Sequence, residues 1–339
     1  MLKSMLIGGT SHGDLPMESP LEAMLERTDR HLDNFATLVR PAPESRPRTS
    51  FTSKLPRRQI SAFNFTLRQR LRVVPKAVPL LFNILRSARM YDGRFKATRS
   101  EAGPEFIAEL EAMARAAGAR DIRYVEVPRT AIFRDKGIPH QYAVVFTVEM
   151  EQKPIETAPS FECMLEVMRG YKNLASISNR LARFMRTRGF AAYPGTALGG
   201  LTDYPHIAEL AGLGAIGYHG LLISPHEGAR LRINTIYTNI TNLPLHAGDE
   251  HEWVRDFCAM CKRCIRKCPP KAIYPEPRPR GDGGMQCIDH DTCRDYFSSN
   301  FGCAVCLAEC PFSHVGYDKV KASFKGNKAA PRFHLRTIA

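Results

Sequence analysis

Cys258-Ala-Met-Cys261-Lys-Arg-Cys264-Ile-Arg-Lys-Cys268-Pro269 is the most constraining stretch of this chain. It reads C-x2-C-x2-C-x3-C-P, the spacing with which a polypeptide wraps two [4Fe–4S] clusters. Three closely spaced thiolates reach one face of a cubane, and the fourth, held straight by proline, serves the other cluster. A second run, Cys303-Ala-Val-Cys306-Leu-Ala-Glu-Cys310-Pro311, repeats the theme behind Cys293. The spacing assigns Cys258, Cys261, Cys264 and Cys310 to one cluster. Cys268, Cys293, Cys303 and Cys306 take the other.

Paired C-x2-C steps also bind zinc, but zinc needs neither the third cysteine nor the trailing proline. A disulfide framework needs a secretion signal. The nearest candidate is Arg57-Arg58-Gln-Ile-Ser, and charge interrupts the segment behind it. The chain is therefore expected to be cytoplasmic. Cys163 and Cys287 are left over, as packed or idle thiols.

A two-cluster module needs only about 60 residues, and the chain has 339. Most of it must be something the clusters serve. Apolar content is 44%, normal for a folded core, and no run approaches the ~20 apolar residues of a membrane span. The net charge of +14 is concentrated in residues 40–99, which hold fifteen Lys or Arg against Glu44 and Asp92. Such a segment suits an acidic partner: a reduced ferredoxin or flavodoxin, an anionic membrane surface, or nucleic acid. A solvated, partly extended arm is the other reading.

Residues 1–99 are thus expected to form a basic arm or extension, with a short helical piece around Pro20–Leu38. An amphipathic pattern over 64–90 is broken by Pro75 and Pro79, and its tail from Val78 could cover a core or touch a membrane. The globular core is expected over 100–250. Helices are expected at Glu105–Ala117 and Ser160–Arg188, and strands at Asp121–Val127, Gln141–Met150, Leu221–Ser224 and Leu231–Thr238. The cluster module should occupy 251–317, and 318–339 a loose basic tail.

Between core and module lies Ala211-Gly-Leu-Gly214-Ala-Ile-Gly217-Tyr-His-Gly220-Leu-Leu-Ile-Ser-Pro225. Gly212, Gly214, Gly217 and Gly220 let a backbone approach something flat or phosphorylated. Gly212, Gly214 and Gly217 match G-x-G-x-x-G, but a dinucleotide loop follows a strand and opens a helix. Here the order is reversed, and Arg230 and Arg232 stand where an acid belongs, so the nucleotide reading fails.

This block, together with Gly228-Ala-Arg230-Leu-Arg232, Leu243-Pro-Leu, Cys293-Arg-Asp-Tyr-Phe, Phe301-Gly-Cys303 and Cys310-Pro-Phe312, resembles the corrinoid-dependent reductive dehalogenases. The epoxyqueuosine reductases are similar more distantly. The resemblance covers about residues 105–317 and nothing before Ser100.

It implies an α/β (α+β) fold, with a nitroreductase-like cobamide-binding core followed by a ferredoxin-like module. The cofactors implied are cobalamin, in base-off form, and two [4Fe–4S] clusters. It further implies a tyrosine proton donor on a long helix that ends in Gly-aromatic. Tyr171 matches, ahead of Gly189-Phe190, although a tyrosine in that apolar stripe is also an ordinary core residue. Arg230 or Arg232 would stabilise the phenolate, or else form a surface ion pair. The two are expected to face apart, so that one enters the pocket. Asp203 and His206 are further candidate acids or cobamide contacts. The aspartate register of the epoxyqueuosine reductases falls on Leu198.

Three functions follow. The first is a reductase that removes a halide or similar group from a small organic substrate, with electrons from a separate low-potential donor. The second is reduction of a modified tRNA base. The third is a corrin-free electron carrier.

Overall fold

In the computed structural model, residues 26–49, 53, 55–246 and 248–326 are described. The ends of the expected arm and of the basic tail, and residues 20–25 of the expected first helix, lie outside them. The part of that helix within them is a 3-10 helix, Glu26–Asn34.

The helices are α1 (Leu67–Arg89), α2 (Pro104–Ala116), α3 (Gln152–Glu156), α4 (Phe161–Thr187), α5 (Tyr204–Leu210), α6 (Trp253–Cys261), α7 (Arg263–Lys267), α8 (His290–Ser299), α9 (Val305–Ala308), α10 (Pro311–His314) and α11 (Tyr317–Phe324). The strands are β1 (Ile122–Glu126), β2 (Tyr142–Glu149), β3 (Ala192–Pro194), β4 (Ala215–Ile216), β5 (Leu222–Ile223), β6 (Leu231–Thr238), β7 (Ile273–Pro279) and β8 (Met285–Ile288).

The core is a four-stranded antiparallel sheet in the order β1-β2-β6-β3. Strand side chains alternate between faces, and both faces are covered. Val144, Phe146 and Val148 pack with Ile84, Leu110, Leu174 and Leu181 of α1, α2 and α4. Ala143 and Val145 pack on the other side with Leu32, Tyr91 and Ile207. Double coverage explains why β2 reads as a nearly continuous apolar run.

The expected boundary at residue 100 does not divide the packing. A capping box, Thr66 with Gln69, starts α1. The helix then runs unbroken through Pro75 and Pro79 and buries Leu80, Ile84, Ser87 and Ala88. Each proline removes one helical hydrogen bond. The Asn83 side-chain amide donates to the Pro79 carbonyl at 2.8 Å. Ser87 donates to Asn179 of α4 at 3.0 Å, a buried polar contact that fixes the two helices in register.

Several of the fifteen cations are also tied into the fold. Arg46 bonds Asp203, Arg48 bonds the Gly199 carbonyl, and Arg72 pairs with Glu162.

A third cluster joins the sheet domain to the cysteine-bearing module. Met150, Cys163 and Val167 meet Phe257, Leu307 and Phe312 there. The module also extends past residue 317: α11 buries Tyr317, Val320 and Phe324, so this part of the expected tail is packed. No described helix is long and apolar enough to cross a membrane.

Candidate iron–sulfur and tyrosine–arginine site

Cys258 and Cys261 stand three residues apart at the end of α6, which puts them on one face. Lys262 turns the chain in the left-handed region (φ 47°), and Cys264 follows in α7. These three, with Cys310 from the second run, line one cavity together with His219, Phe257 and Phe312. Backbone amides of Tyr218, Arg263 and Phe312 donate to the sulfurs of Cys258, Cys261 and Cys310.

The thiols of Cys268, Cys293, Cys303 and Cys306 lie within electrostatic reach of one another. The Ala272 amide donates to Cys268 at 3.3 Å. Cys306 also senses Cys264, so the two groups meet at that pair. Burial pushes the Cys258 and Cys264 thiols up to about 12 and Cys293 to about 11. Buried thiolates of this kind are stabilised by bound metal.

Among the described residues, no three His, Cys, Asp or Glu converge on a single ion. Ligands of one zinc must all lie about 2.3 Å from it, whereas the ligands of a cubane bind different irons and stand apart. The first four thiols surround a space, and that arrangement fits a cluster. The loop before α9 is also strained: Phe301, Cys303 and Ala304 have φ of 49°, 42° and 68° around Gly302. Non-glycine residues persist there only when their surroundings over-determine them.

His219, quoted in the glycine block but given no role from sequence, lines the first cavity. It is 4% exposed. The Leu221 amide donates to its Nδ1 at 3.1 Å, so the proton sits on Nε2. That Nε2–H has no protein partner. Burial pushes the imidazole down to about 4.

The glycines expected to face a corrin are occupied by protein. A Cβ on Gly214 would fall 2.1 Å from the Ile223 carbonyl oxygen, within the β4–β5 hairpin. One on Gly217 would stand 3.2 Å from the His219 ring and 3.5 Å from Cys258 Sγ. Gly220 abuts Cys287, and Gly212 abuts His246. The backbone does make close approaches, at Gly214 to the β4–β5 hairpin, at Gly212 to His246, and at Gly217 and Gly220 to Cys258 and Cys287 of the cysteine module.

Asp203 and His206 differ in their surroundings. Asp203 Oδ2 accepts from Arg46 at 2.9 Å and from Arg280 at 2.7 Å. Burial alone would raise its carboxyl, but the two guanidinium groups outweigh burial and hold it below its ordinary value. A carboxylate so held is not a proton donor near neutrality. His206 is buried in α5, with an unpartnered Nδ1. Of the two spare thiols, Cys287 is buried against the Gly217 carbonyl.

Tyr171 and Arg232 come together. The Arg232 guanidinium lies over the Tyr171 ring, 4.8 Å from its centroid. Both residues are half-buried, and Tyr171 packs against the sheet domain on one side and the cysteine module on the other. Gly170 makes room, since a Cβ there would stand 3.2 Å from Arg232 Cγ. Arg232 Nε is buried without a protein partner.

Arg230 goes elsewhere. It donates to the carbonyls of Ser313 and Met150 at 3.0 and 2.6 Å and pairs with Glu149. Positions two apart share a face in a regular strand. The two arginines separate because Arg230 ends the turn before β6, not because a strand alternates. The second spare thiol, buried Cys163, is within electrostatic reach of both Arg232 and Cys303, which places the second thiol group beside this pair. The expected residues that meet at this seam are therefore Tyr171 and Arg232, whose buried Nε has no protein partner.

No family model matches the chain. Its sequence is similar to those of tetrachloroethene reductive dehalogenases. It is 31% identical to that of Dehalobacter restrictus over 192 residues, which is 53% of this chain and 34% of the relative. It is 28% identical to that of Sulfurospirillum multivorans over 209 residues, 56% of this chain and 41% of the relative. An epoxyqueuosine reductase from Francisella cf. novicida is 30% identical over 119 residues, 32% of this chain and 31% of that one.

Among solved structures, the fold is similar to a reductive dehalogenase reported with a mechanism for B12-dependent dehalogenation. The TM-score is 0.60 at 18% identity, covering 92% of this chain and 52% of that one. A catabolic reductive dehalogenase in complex with 3-bromo-4-hydroxybenzoic acid gives a TM-score of 0.57 with the same identity and coverage. The chain thus spans about half the length of these structures and about a third of the first curated relative.

Proposed function

We propose that the chain is an iron–sulfur, cobalamin-type oxidoreductase that removes a halide or comparable leaving group from a small organic substrate. The observation that carries this reading is Tyr171 beneath the Arg232 guanidinium, half-buried where the sheet domain meets the cysteine module. Two [4Fe–4S] clusters, one in each thiol group, would supply electrons singly at low potential. The second group would hold the cluster nearer the site, since Cys163 lies within electrostatic reach of both Cys303 and Arg232. A cobamide held at this seam, with Tyr171 and Arg232 facing it, would supply the low-valent cobalt that reduces a carbon–halogen bond.

The chain's own residues handle the proton and the charge. The net reaction consumes two electrons and one proton: the carbon–halogen bond breaks, halide leaves, and a carbon–hydrogen bond forms. Tyr171 Oη gives the proton to that carbon. Arg232 counters the negative charge left on the phenolate, and its open Nε–H donates to the departing anion or to a substrate oxygen. His219, with its unpartnered Nε2–H, would supply a donor to a cluster held by the first group, and hydrogen bonds to sulfur help set cluster potentials. Arg230 is a structural brace between β2 and the module.

The electrons come from a separate cytoplasmic donor, such as a ferredoxin or flavodoxin. Reduction of a tRNA base would call for a free carboxylic acid near the site. Position 198 is leucine and Asp203 is clamped by two arginines, so the site argues against that second reading, which the similarity to an epoxyqueuosine reductase supports.

The test is halide release from halogenated phenols and alkenes by the anaerobically reconstituted protein with a reduced viologen. Tyr171→Phe should lower turnover by about 10²–10⁴-fold, the range for losing a general acid, with both clusters intact by EPR. Equal turnover by the variant removes Tyr171 from the mechanism.

A further inference from the structure

One face of α1 is apolar and open. Leu67, Leu71, Val74, Val78 and Phe82 are 76, 67, 39, 45 and 58% exposed. At 100° per residue they fall within about 80° of arc. Phe63, 55% exposed, stands just ahead of the helix. The opposite side of the helix holds Leu80 and Ile84, buried against the core. An apolar stripe of this length on an exposed helix marks a contact surface.

Charge decides what it contacts. Residues 67–89 contain Arg68, Arg70, Arg72, Lys76, Arg86 and Arg89 and no acid. Arg72 is spent on Glu162. Arg68 and Arg86 flank the stripe on one side, and Arg89 closes its end. A second copy laid on this face would bring Arg68, Arg86 and Arg89 of each helix together with no acid from either helix. An anionic lipid surface meets both needs. Headgroups pair with the flanking guanidinium groups, and the stripe enters the acyl boundary, as interfacial amphipathic helices do. Long basic side chains can keep their heads at the headgroup level while their stems cover apolar surface.

We propose that α1 is a reversible membrane-docking helix that seats the folded protein on anionic lipid through Leu67, Leu71, Val74, Val78 and Phe82. The proposal does not depend on the chemistry assigned to the cysteine module.

Vesicle flotation of the full chain tests it, with phosphatidylcholine alone and with phosphatidylserine added. Binding should require the anionic lipid and weaken as salt rises. Leu71→Gln/Val78→Gln should abolish it while leaving the thermal midpoint unchanged, since both side chains are exposed. Arg68→Gln/Arg89→Gln should weaken it roughly 30-fold at low salt, the effect of two surface cations. As a readout that tolerates no folding artefact, Val78→Trp should show a blue-shifted emission component with anionic vesicles. Indifference to anionic lipid overturns the proposal. So does concentration-dependent dimerisation abolished by the glutamine pair, which would assign the stripe to a second copy.

Discussion

At the scale of single residues, His219 is the most informative side chain that sequence reading left without a role. Its Nδ1 is filled by the Leu221 amide, and its Nε2–H faces the cavity of Cys258, Cys261, Cys264 and Cys310 without a partner. Removing that donor should lower the midpoint potential of one cluster and leave the other unmoved. His219→Leu is the test, and His219→Gln, which keeps an N–H, should largely restore the value. Redox titration followed by EPR reads both; equal potentials in the leucine variant and the parent protein would remove the hydrogen bond from the account. In the parent protein, ¹⁵N-labelled histidine should give a nitrogen coupling to the reduced cluster. The cysteines were legible because ligand spacing is local and covalently constrained. His219 was not, because its orphaned donor exists only once β5 and α6 have folded around it. What the glycines approach was not legible for a related reason: sequence shows that a backbone comes close to something but does not show what.

At the scale of elements, the cysteine runs interleave. Cys268 belongs to the first run in sequence and to the second group in space, while Cys310 does the reverse. Cys268→Ser should therefore disturb the same EPR signal as Cys303→Ser, and Cys310→Ser the signal altered by Cys261→Ser. If Cys268→Ser tracked Cys261→Ser instead, each run would bind its own cluster. Long periodic elements were readable: α2, α4, β1, β2 and β6 fall within a residue or two of their expected spans. The failures have physical causes. Pro75 and Pro79 suggested a break, but α1 continues because its packing on α4 and the core outweighs two lost hydrogen bonds. β7 was missed because Pro275, Pro277 and Pro279 read as loop, although alternate prolines are tolerated on an edge strand that pairs on one side alone.

At the scale of the whole molecule, one buried carboxylate ties three distant segments together. Asp203 takes Arg46 from the N-terminal region and Arg280 from the β7–β8 turn, and Arg280 also holds Asp282. The motifs that resemble known enzymes lie after residue 100, yet the packing runs unbroken across that point, and this clamp is one reason. Asp203→Asn should cost about 1.5–3 kcal/mol at pH 7, the worth of charge-assisted hydrogen bonds, because it leaves half-buried Arg46 without its carboxylate and Arg280 with Asp282 alone. The sign of the pH dependence follows from the carboxyl lying below its ordinary value in the fold. Its contribution is complete above that ordinary value, about 4, and disappears as pH falls through the lower folded value. The gap between parent and variant, measured by urea unfolding, should therefore close in acid; a gap that widened there would mean that the clamp is not ionic.

The central claim is that two clusters stand beside a tyrosine–arginine seam that takes a corrin. Anaerobic titration of the reconstituted, eight-iron protein with cob(II)alamin, followed by EPR, tests it most directly. The account predicts saturable uptake of one corrin per chain, with the cobalt signal broadened by the reduced clusters and uptake diminished in a variant that fills the seam, Gly170→Leu. Full iron content with a cobalt signal identical to free cob(II)alamin at every ratio would contradict it.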